Sequence, residues 1–340
     1  MKLKRNDYYC IFVSIILISL ISYYICSRIK KVSEGQIEPF ATEGGKFIEV
    51  NNQIFDKFYS SIYDKIFTDN KRTSLELATI LETTVKNVEN PFKKEDIKFL
   101  DAGCGTGINA SVLGKMFPVT CLDKSNDMLS VAKTRQSEKM ILLQGDIKDR
   151  STFEKNTFSH IIALYFSMYY FENIGHIFEN FSKWVKPNGF VVIHLVDKKA
   201  FDPIVNPSSP FVLMDVQSHL DKRKTDSLVV FNKFTYKSNF NLLDKHRAAF
   251  EEEFEFKDPN TKKRKQRHIL YMYNKKEYVK VAERYGFKLM NIEPQTMSGY
   301  GNHYLFTFRK QKEEAYISSL KAENSVKSVG TGGTKSTRSS

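Results

Sequence analysis

Three aspartates, each closing a short apolar run, are the residues most able to do chemistry here. Asp101 follows Lys98-Phe99-Leu100, Asp123 follows Val119-Thr120-Cys121-Leu122, and Asp146 follows Ile141-Leu142-Leu143-Gln144-Gly145. Between the first two stand Gly103, Gly105 and Gly107. Glycines at that spacing let the backbone turn sharply and let a ligand approach closely, because no Cβ intervenes. A carboxylate near this turn favours a cationic ligand group. A second carboxylate roughly 20 residues on is placed to accept hydrogen bonds from both hydroxyls of a ribose. The chemistry implied is the binding of a nucleotide-type ligand.

Two other nucleotide loops are excluded by spacing. A dinucleotide fingerprint is G-x-G-x-x-G, whereas here the third glycine comes one position early. A P-loop requires G-x-x-x-x-G-K-[ST], and no lysine follows these glycines.

The apolar runs read as strands, and the segments between them as helices. Phe158 to Leu164 gives a fourth strand, and Lys186-Pro187-Asn188-Gly189 turns into a fifth that ends at His194. Segments 127–137 and 174–185 carry helical patterning. Strands alternating with helices imply right-handed crossovers and a largely parallel sheet. In such a sheet the ligand sits beyond the carboxyl ends of the strands. Phe287–Ile292 and His303–Phe308 read as two closing strands around a Ser/Gly/Asn loop.

The loop Asp101-Ala102-Gly103-Cys104-Gly105-Thr106-Gly107, the run Asp123-Lys124-Ser125-Asn126-Asp127-Met128-Leu129 and the Gly145-Asp146 strand end together resemble the class I S-adenosylmethionine (SAM)-dependent methyltransferases. The resemblance spans roughly residues 50 to 310 and is specific for donor and fold, not for acceptor. It implies a Rossmann-like α/β fold: a seven-stranded, mostly parallel sheet with an antiparallel last strand. It implies SAM as methyl donor, with no metal. Asp101, Gly103, Cys104, Gly105, Thr106, Gly107, Asp123, Lys124, Ser125, Met128, Gly145, Asp146, Ile147 and Leu164 would bind SAM. Among them Asp101 would lie near the methionine end, Asp123 would meet both ribose hydroxyls and Asp146 would read the adenine amino group. Met128 would pack on the adenine, with a plain core position as the competing reading. The segment before the first strand, 54–67, would fold over SAM, with Tyr59, Tyr63 and Arg72 as candidates for the methionine end; an aromatic core face is the competing reading.

A nitrogen or oxygen acceptor needs alignment, exclusion of water and, in many cases, a base. His160, His194, His303, Tyr165, Tyr169 and Tyr170 are the available groups. His194, near the end of the fifth strand, is the first choice, and Tyr169 the second. After the fourth strand the sequence Ala163-Leu164-Tyr165-Phe166 lacks the Asp/Asn-Pro-Pro-Tyr/Phe of amino-methylating DNA enzymes. No Pro-Cys pair supplies the nucleophile of a cytosine-C5 enzyme, and no paired-glutamate loop marks an arginine methyltransferase.

The rest of the chain bounds the setting. Its 340 residues carry a net charge of +13. Four cysteines in no metal or disulfide spacing fit a reducing compartment. Tyr8 to Cys26 is an almost unbroken apolar run, roughly 28 Å long as a helix, with tyrosine pairs at both ends. It reads as an uncleaved transmembrane anchor over 1–27. A signal peptide has a shorter core and small residues at its cleavage site. Flanking charges do not fix the orientation. The cytosolic origin of SAM, and a glycosylation sequon at Asn109 beside the glycine loop, favour a cytosolic domain. Residues 28–50 read as a linker, 51–310 as the methyltransferase domain and 311–340 as a polar, disordered tail.

Alternating strands over about 205–273 read as an antiparallel insertion that caps the site and selects the acceptor. Its basic cluster, Lys262-Lys263-Arg264-Lys265-Gln266-Arg267, reads as a solvated turn. RNA or anionic lipid phosphates are the alternative partners, lipid ahead of nucleic acid. The membrane partner is expected through 8–26, and the acceptor is expected to be a small molecule or lipid. An RNA or protein methyltransferase and a non-catalytic SAM-fold binding module are the competing functions.

Overall fold

The computed structural model describes residues 17, 48–49, 54–87, 89–203, 223–258 and 263–312. Apart from Leu17, the apolar run 8–26 lies outside the described residues, as do Lys262 and the tail from 313. Among the described residues no helix is long and apolar enough to cross a membrane.

Strands β2 (Phe99–Ala102), β3 (Val119–Asp123), β4 (Met140–Gln144), β5 (Phe158–Ala163) and β6 (Val185–Val196) pair in parallel in the order β6-β5-β2-β3-β4. The two closing strands, β11 (Phe287–Pro294) and β12 (His303–Lys310), complete a seven-stranded sheet. The last strand, β12, lies inside the sheet, antiparallel to both β6 and β11. Its composition explains this: Leu305, Phe306 and Phe308 are buried, as an interior strand requires. The strand order reverses at β2, so β2 and β5 diverge around the crevice where ligands bind in open α/β sheets.

Helices cover both faces. On one, α5 (Ile174–Trp184) buries Ile177, Phe178, Phe181 and Trp184 at helical spacing, and α6 (Lys275–Arg284) packs beside it. Each large apolar side chain contributes about 2 kcal/mol of burial free energy. Asn173 caps α5, and Asn274 with Glu277 forms a capping box on α6. On the other face, α2 (Asn70–Ile80), α3 (Ile108–Leu113) and α4 (Asn126–Lys133) enclose Phe99, Val119 and Cys121.

The insertion forms a second sheet. Strands β7 (Asp226–Val230), β8 (Phe234–Leu242), β9 (Arg247–Phe256) and β10 (Arg264–Tyr271) pair antiparallel in sequence. The cap expected over 205–273 is therefore seen from Asp226 onward; residues 204–222 lie outside the described set. A fifth strand, β1 (Ile48–Glu49), joins β10 in parallel from within the segment read as linker.

Helix α1 (Lys57–Phe67) lies between cap and main sheet. Tyr59, Ile62 and Ile66 pack with Tyr236 and Phe254 of the cap and with Met128 of α4. Its aromatic face thus belongs both to a core and to a cavity wall.

Within the described part of the basic cluster, residues 263–267, the cations are paired rather than left as a free patch. Lys263 and Lys265 pair with Glu253, and Arg267 with Glu251, across the β9–β10 ladder. Arg264 reaches Asp56 at 2.6 Å and so ties the cap to the start of α1.

Candidate active site

A cavity of about 700 Å³ opens between the carboxyl ends of β2 to β5, helix α1 and the cap. Such a volume suits a small-molecule site. One half is polar and lined by the glycine loop and strand-end acids; the other is aromatic and lined by α1, the turn after β5 and the cap.

The glycine loop is wired to Asp123. Asp123 Oδ2 accepts the Gly105 N–H at 2.8 Å, and Oδ1 accepts the Ser125 N–H at 2.9 Å. Each oxygen keeps a second lone-pair direction for a ligand hydroxyl. Burial pushes the Asp123 carboxyl up, and backbone N–H groups of Ser125, Gly105 and Lys124 oppose that shift. Gly105 holds φ +54, and a Cβ built on it would meet nothing within 4 Å, so its bare backbone forms part of the cavity wall. At Gly107, φ +74, a Cβ would fall 2.7 Å from Ala132 Cβ; this glycine is fixed by packing as well as conformation.

The other expected donor-site residues divide into those that line the cavity and those that do not. Gly103, Cys104, Gly105, Thr106, Asp123, Lys124, Ser125, Met128, Gly145, Asp146, Ile147 and Leu164 all line it. Gly107 and Asp101 stand behind. Asp101 is buried, its Oδ2 without a hydrogen-bond partner among the described residues. Burial, reinforced by the charge of Asp123, pushes its carboxyl up to about 7. Asp146 Oδ2 pairs with Lys124 at 3.1 Å and Oδ1 accepts the Lys148 N–H. Partial burial works against its charge, but the Lys148 N–H and the Lys124 ammonium outweigh that and hold it below the usual carboxylate range.

Several side chains serve α1 rather than open space. Thr106 Oγ1 donates to Asp64 Oδ1 at 2.6 Å, and Arg135 pairs with Asp64 Oδ2 at 2.8 Å. Ser125 Oγ donates to the Phe55 carbonyl at 2.5 Å. These bonds hold α1 down over the glycine loop.

Arg72 of α2 is buried at the junction of the two halves. Its guanidinium stacks on Tyr165 at 4.2 Å and on Tyr300 at 5.1 Å. One Nη donates to the Phe67 carbonyl, Glu76 lies 3.9 Å from Nε, and Nε makes no hydrogen bond among the described residues. Burial opposes the charge of Arg72, but Glu76 and the tyrosines outweigh it and raise its pKa. Tyr165 itself holds φ +53, a strained conformation for a bulky side chain.

Neither first choice for the acceptor base lines the cavity. Tyr169 is buried in the main core, where its oxygen accepts the Val196 N–H at 2.6 Å. His194 lies beneath Tyr165. Its Nδ1 donates to the Tyr165 carbonyl at 2.6 Å, and Nε2 meets His303 Nδ1 at 3.1 Å. A strand alternates its faces, and His194 falls on an enclosed one. Burial, with Arg72 nearby, pushes it down to about 4. Its neighbour His303 does line the cavity. With His194 neutral and bound to a carbonyl, His303 must donate from Nδ1, which leaves a lone pair on Nε2; that atom has no partner among the described residues. His160 is a core residue stacked between Phe99 and Phe190.

A second histidine on the cavity wall belongs to no motif in the sequence. His268 of β10 lies between Tyr170 Oη, 2.8 Å from Nδ1, and Glu252 Oε2, 2.7 Å from Nε2. Glu252 is fully buried. It also accepts Tyr59 Oη and Gln266 Nε2 on one oxygen and Tyr236 Oη on the other. The only sequence signal is the strand alternation. Phe250, Glu252 and Phe254 share one face of β9, so Glu252 points the way its apolar neighbours point.

This geometry has counterparts among known proteins. A family model described as a methyltransferase domain matches residues 100–193, from β2 into β6. Residues 100–193 therefore form a methyltransferase domain. This domain is 32% identical over 113 residues to an uncharacterized methyltransferase, YodH, of Bacillus subtilis. The match takes in 32% of this chain and 47% of the relative, so the chain spans about half the length of that curated relative. The domain shares its fold with an S-adenosylmethionine-dependent methyltransferase of Clostridium acetobutylicum, at 18% identity and a TM-score of 0.57 over 75% of this chain and 98% of the other. It also shares it with CalS10, an amino pentose methyltransferase of Micromonospora echinaspora solved with SAM bound, at 18% identity and a TM-score of 0.52 over 77% of this chain and all of the other.

Residues on the methyltransferase domain fit SAM. The cavity offers a bare glycine backbone, two strand-end carboxylates, apolar walls at Met128, Ile147 and Leu164, and a buried guanidinium. Among the described residues no cluster of His, Cys, Asp and Glu is arranged to hold a metal ion.

Proposed function

We propose that this chain transfers a methyl group from SAM to a small molecule held in the aromatic half of the cavity. The observation that carries the reading is Asp123: a cavity-lining carboxylate at the end of β3 that braces the glycine loop and retains lone pairs for the ribose hydroxyls. Asp146, once released from Lys124, receives the adenine amino group, and Met128, Ile147 and Leu164 enclose the ring. Arg72, whose guanidinium lies on the cavity wall, receives the carboxylate of the methionine end. SAM supplies an activated methyl group on a positively charged sulfur. The protein's part is to align the acceptor, keep water out and accept a proton. Helix α1 performs the exclusion, because Asp64, Phe55 and Asp56 fasten it to both walls.

Small acceptors fit better than RNA. The lysines and arginines described in the basic cluster are matched by Glu251, Glu253 and Asp56, so little charge is left for a phosphate backbone. A tether through residues 8–26, with the domain on the cytosolic side, belongs to the same proposal. Its support is the length and aromatic ends of that run and the cytosolic origin of SAM.

Methyl-tritiated SAM added to the full chain and a cell extract tests the reading. Label in the low-molecular-weight fraction, dependent on Asp123, is the expected result. Label confined to RNA or protein would contradict it.

A further inference from the structure

Building on that reading, we propose that Tyr170 is the catalytic residue that receives the acceptor's proton, with His268 and Glu252 as the positioning residues through which the proton is accommodated.

Tyr170 and His268 both line the aromatic half of the cavity. Glu252 offers only acceptor atoms, so His268 donates from Nε2 and its Nδ1 accepts from Tyr170 Oη. The phenol oxygen therefore keeps lone pairs for an incoming N–H or O–H. Burying a carboxylate in a cap otherwise built of Phe250, Phe254 and Phe234 is costly, and an apolar residue of similar volume would hold the strands at least as well. What Glu252 adds is a negative charge directly behind an imidazole. The groups facing His268 are Glu252 from β9, Tyr59 from α1 and Tyr170 from the turn after β5; Gln266 and Tyr236 complete the shell around the carboxylate. No cation is among these groups, so an imidazolium formed here meets attraction and no repulsion from them.

The step balances. The acceptor atom forms a bond to the methyl carbon, and the carbon–sulfur bond breaks with its electron pair left on sulfur. The acceptor's proton passes to Tyr170 Oη while the phenol's own proton passes to His268 Nδ1. The positive charge lost from sulfur reappears as an imidazolium against the Glu252 carboxylate. The ligand class this selects is an uncharged hydroxyl or amine on an apolar small molecule. The attacking atom needs a free lone pair to form the bond to the methyl carbon, so quaternary and fully protonated amines cannot be the reacting group.

The test compares full-length wild type with His268→Gln, His268→Ala, Glu252→Gln and Tyr170→Phe. SAM affinity is measured by calorimetry, and methyl transfer to the extract's small-molecule fraction is followed from pH 6 to pH 10. SAM affinity is expected to stay within about twofold throughout. Transfer by His268→Gln is expected to fall about 100-fold or more at pH 7. It should then climb tenfold per pH unit where wild type has levelled off. Added imidazole is expected to restore His268→Ala and not Tyr170→Phe. Transfer by His268→Gln and Glu252→Gln within threefold of wild type overturns the relay. So does a loss in which SAM affinity falls in step and imidazole gives no rescue, because the trio is then structural. Wild type that takes up no SAM overturns the underlying reading of function instead, and calorimetry tells the two failures apart.

Discussion

Two histidines face the same cavity from opposite sides, and they are wired in opposite senses. His268 comes from the cap and is backed by the buried carboxylate of Glu252. His303 comes from the main sheet and is backed by His194, which ends on a backbone carbonyl. A proton on His268 gains an anion within 2.7 Å. A proton on His303 gains nothing and faces His194 and Arg72; burial together with those two groups pushes its pKa well below the usual range. Ring type and exposure are nearly the same at both positions. What differs is the neighbour behind the ring, which makes one a proton acceptor and the other a fixed neutral hydrogen-bond acceptor.

The comparison breaks first at the carboxylate. Glu252→Gln keeps the shape and removes the charge, and methyl transfer at pH 7 is expected to fall by about 100-fold, read as initial rate at saturating SAM. His303→Gln, the matching change on the other side, is expected to cost less than about tenfold in that assay and to leave the pH profile unchanged. A pH-dependent loss at His303 equal to that at His268 would erase the distinction.

A second prediction sharpens it through stability. The folded chain holds His194 down at about 4 and His160 at about 3, below the ordinary value near 6.5. Their contribution is therefore present above pH 6.5, and is lost as pH falls toward 4 and the unfolded chain takes up protons first. Urea midpoints are expected to drop steadily from pH 7 to pH 4, and His194→Gln should flatten part of that slope.

Asp101 gives an effect of opposite sign. Its carboxyl is raised from 3.8 to about 7, so its charge costs stability as pH rises between those values and costs it in full above them. Asp101→Asn is expected to stabilise the ligand-free chain at pH 8 by about 2 kcal/mol. That is about half of what so raised a carboxyl forfeits at roughly 1.4 kcal/mol per tenfold change in proton affinity, because the amide is still buried. It should at the same time weaken SAM binding, whose ammonium loses a nearby anion.

The smallest effect belongs to the basic cluster. Lys263→Gln removes the ion pairs of a half-exposed side chain while Glu253 keeps Lys265, and it is expected to cost less than about 1 kcal/mol in urea unfolding, with no change in RNA retention.

Much of this molecule is written locally. Asp123 ends β3 and Asp146 stands two residues beyond β4 because the apolar runs stop there, and Gly105 must be glycine because its backbone is left-handed. The cap strands are legible from their alternation. The interior position of β12 is not, because pairing between residues more than a hundred apart leaves no local mark. His194 stands near a strand end, yet its side chain turns beneath Tyr165, and the turn after β5 decides that. His268 and Glu252 escape a reading of sequence because only the β9–β10 register makes them neighbours. The acidic run around Glu252 and the basic run around Lys265 each look like a solvated face in sequence, and the ladder makes them each other's partners.

The central claim is that the cavity beneath α1 takes SAM through Asp123. Calorimetric titration of SAM into the full chain, into Asp123→Ala and into His268→Gln tests it most directly. The expected result is one site in wild type, an affinity lowered by well over tenfold in Asp123→Ala, and no change in His268→Gln. No heat of binding in wild type, or equal affinity in Asp123→Ala, would contradict it.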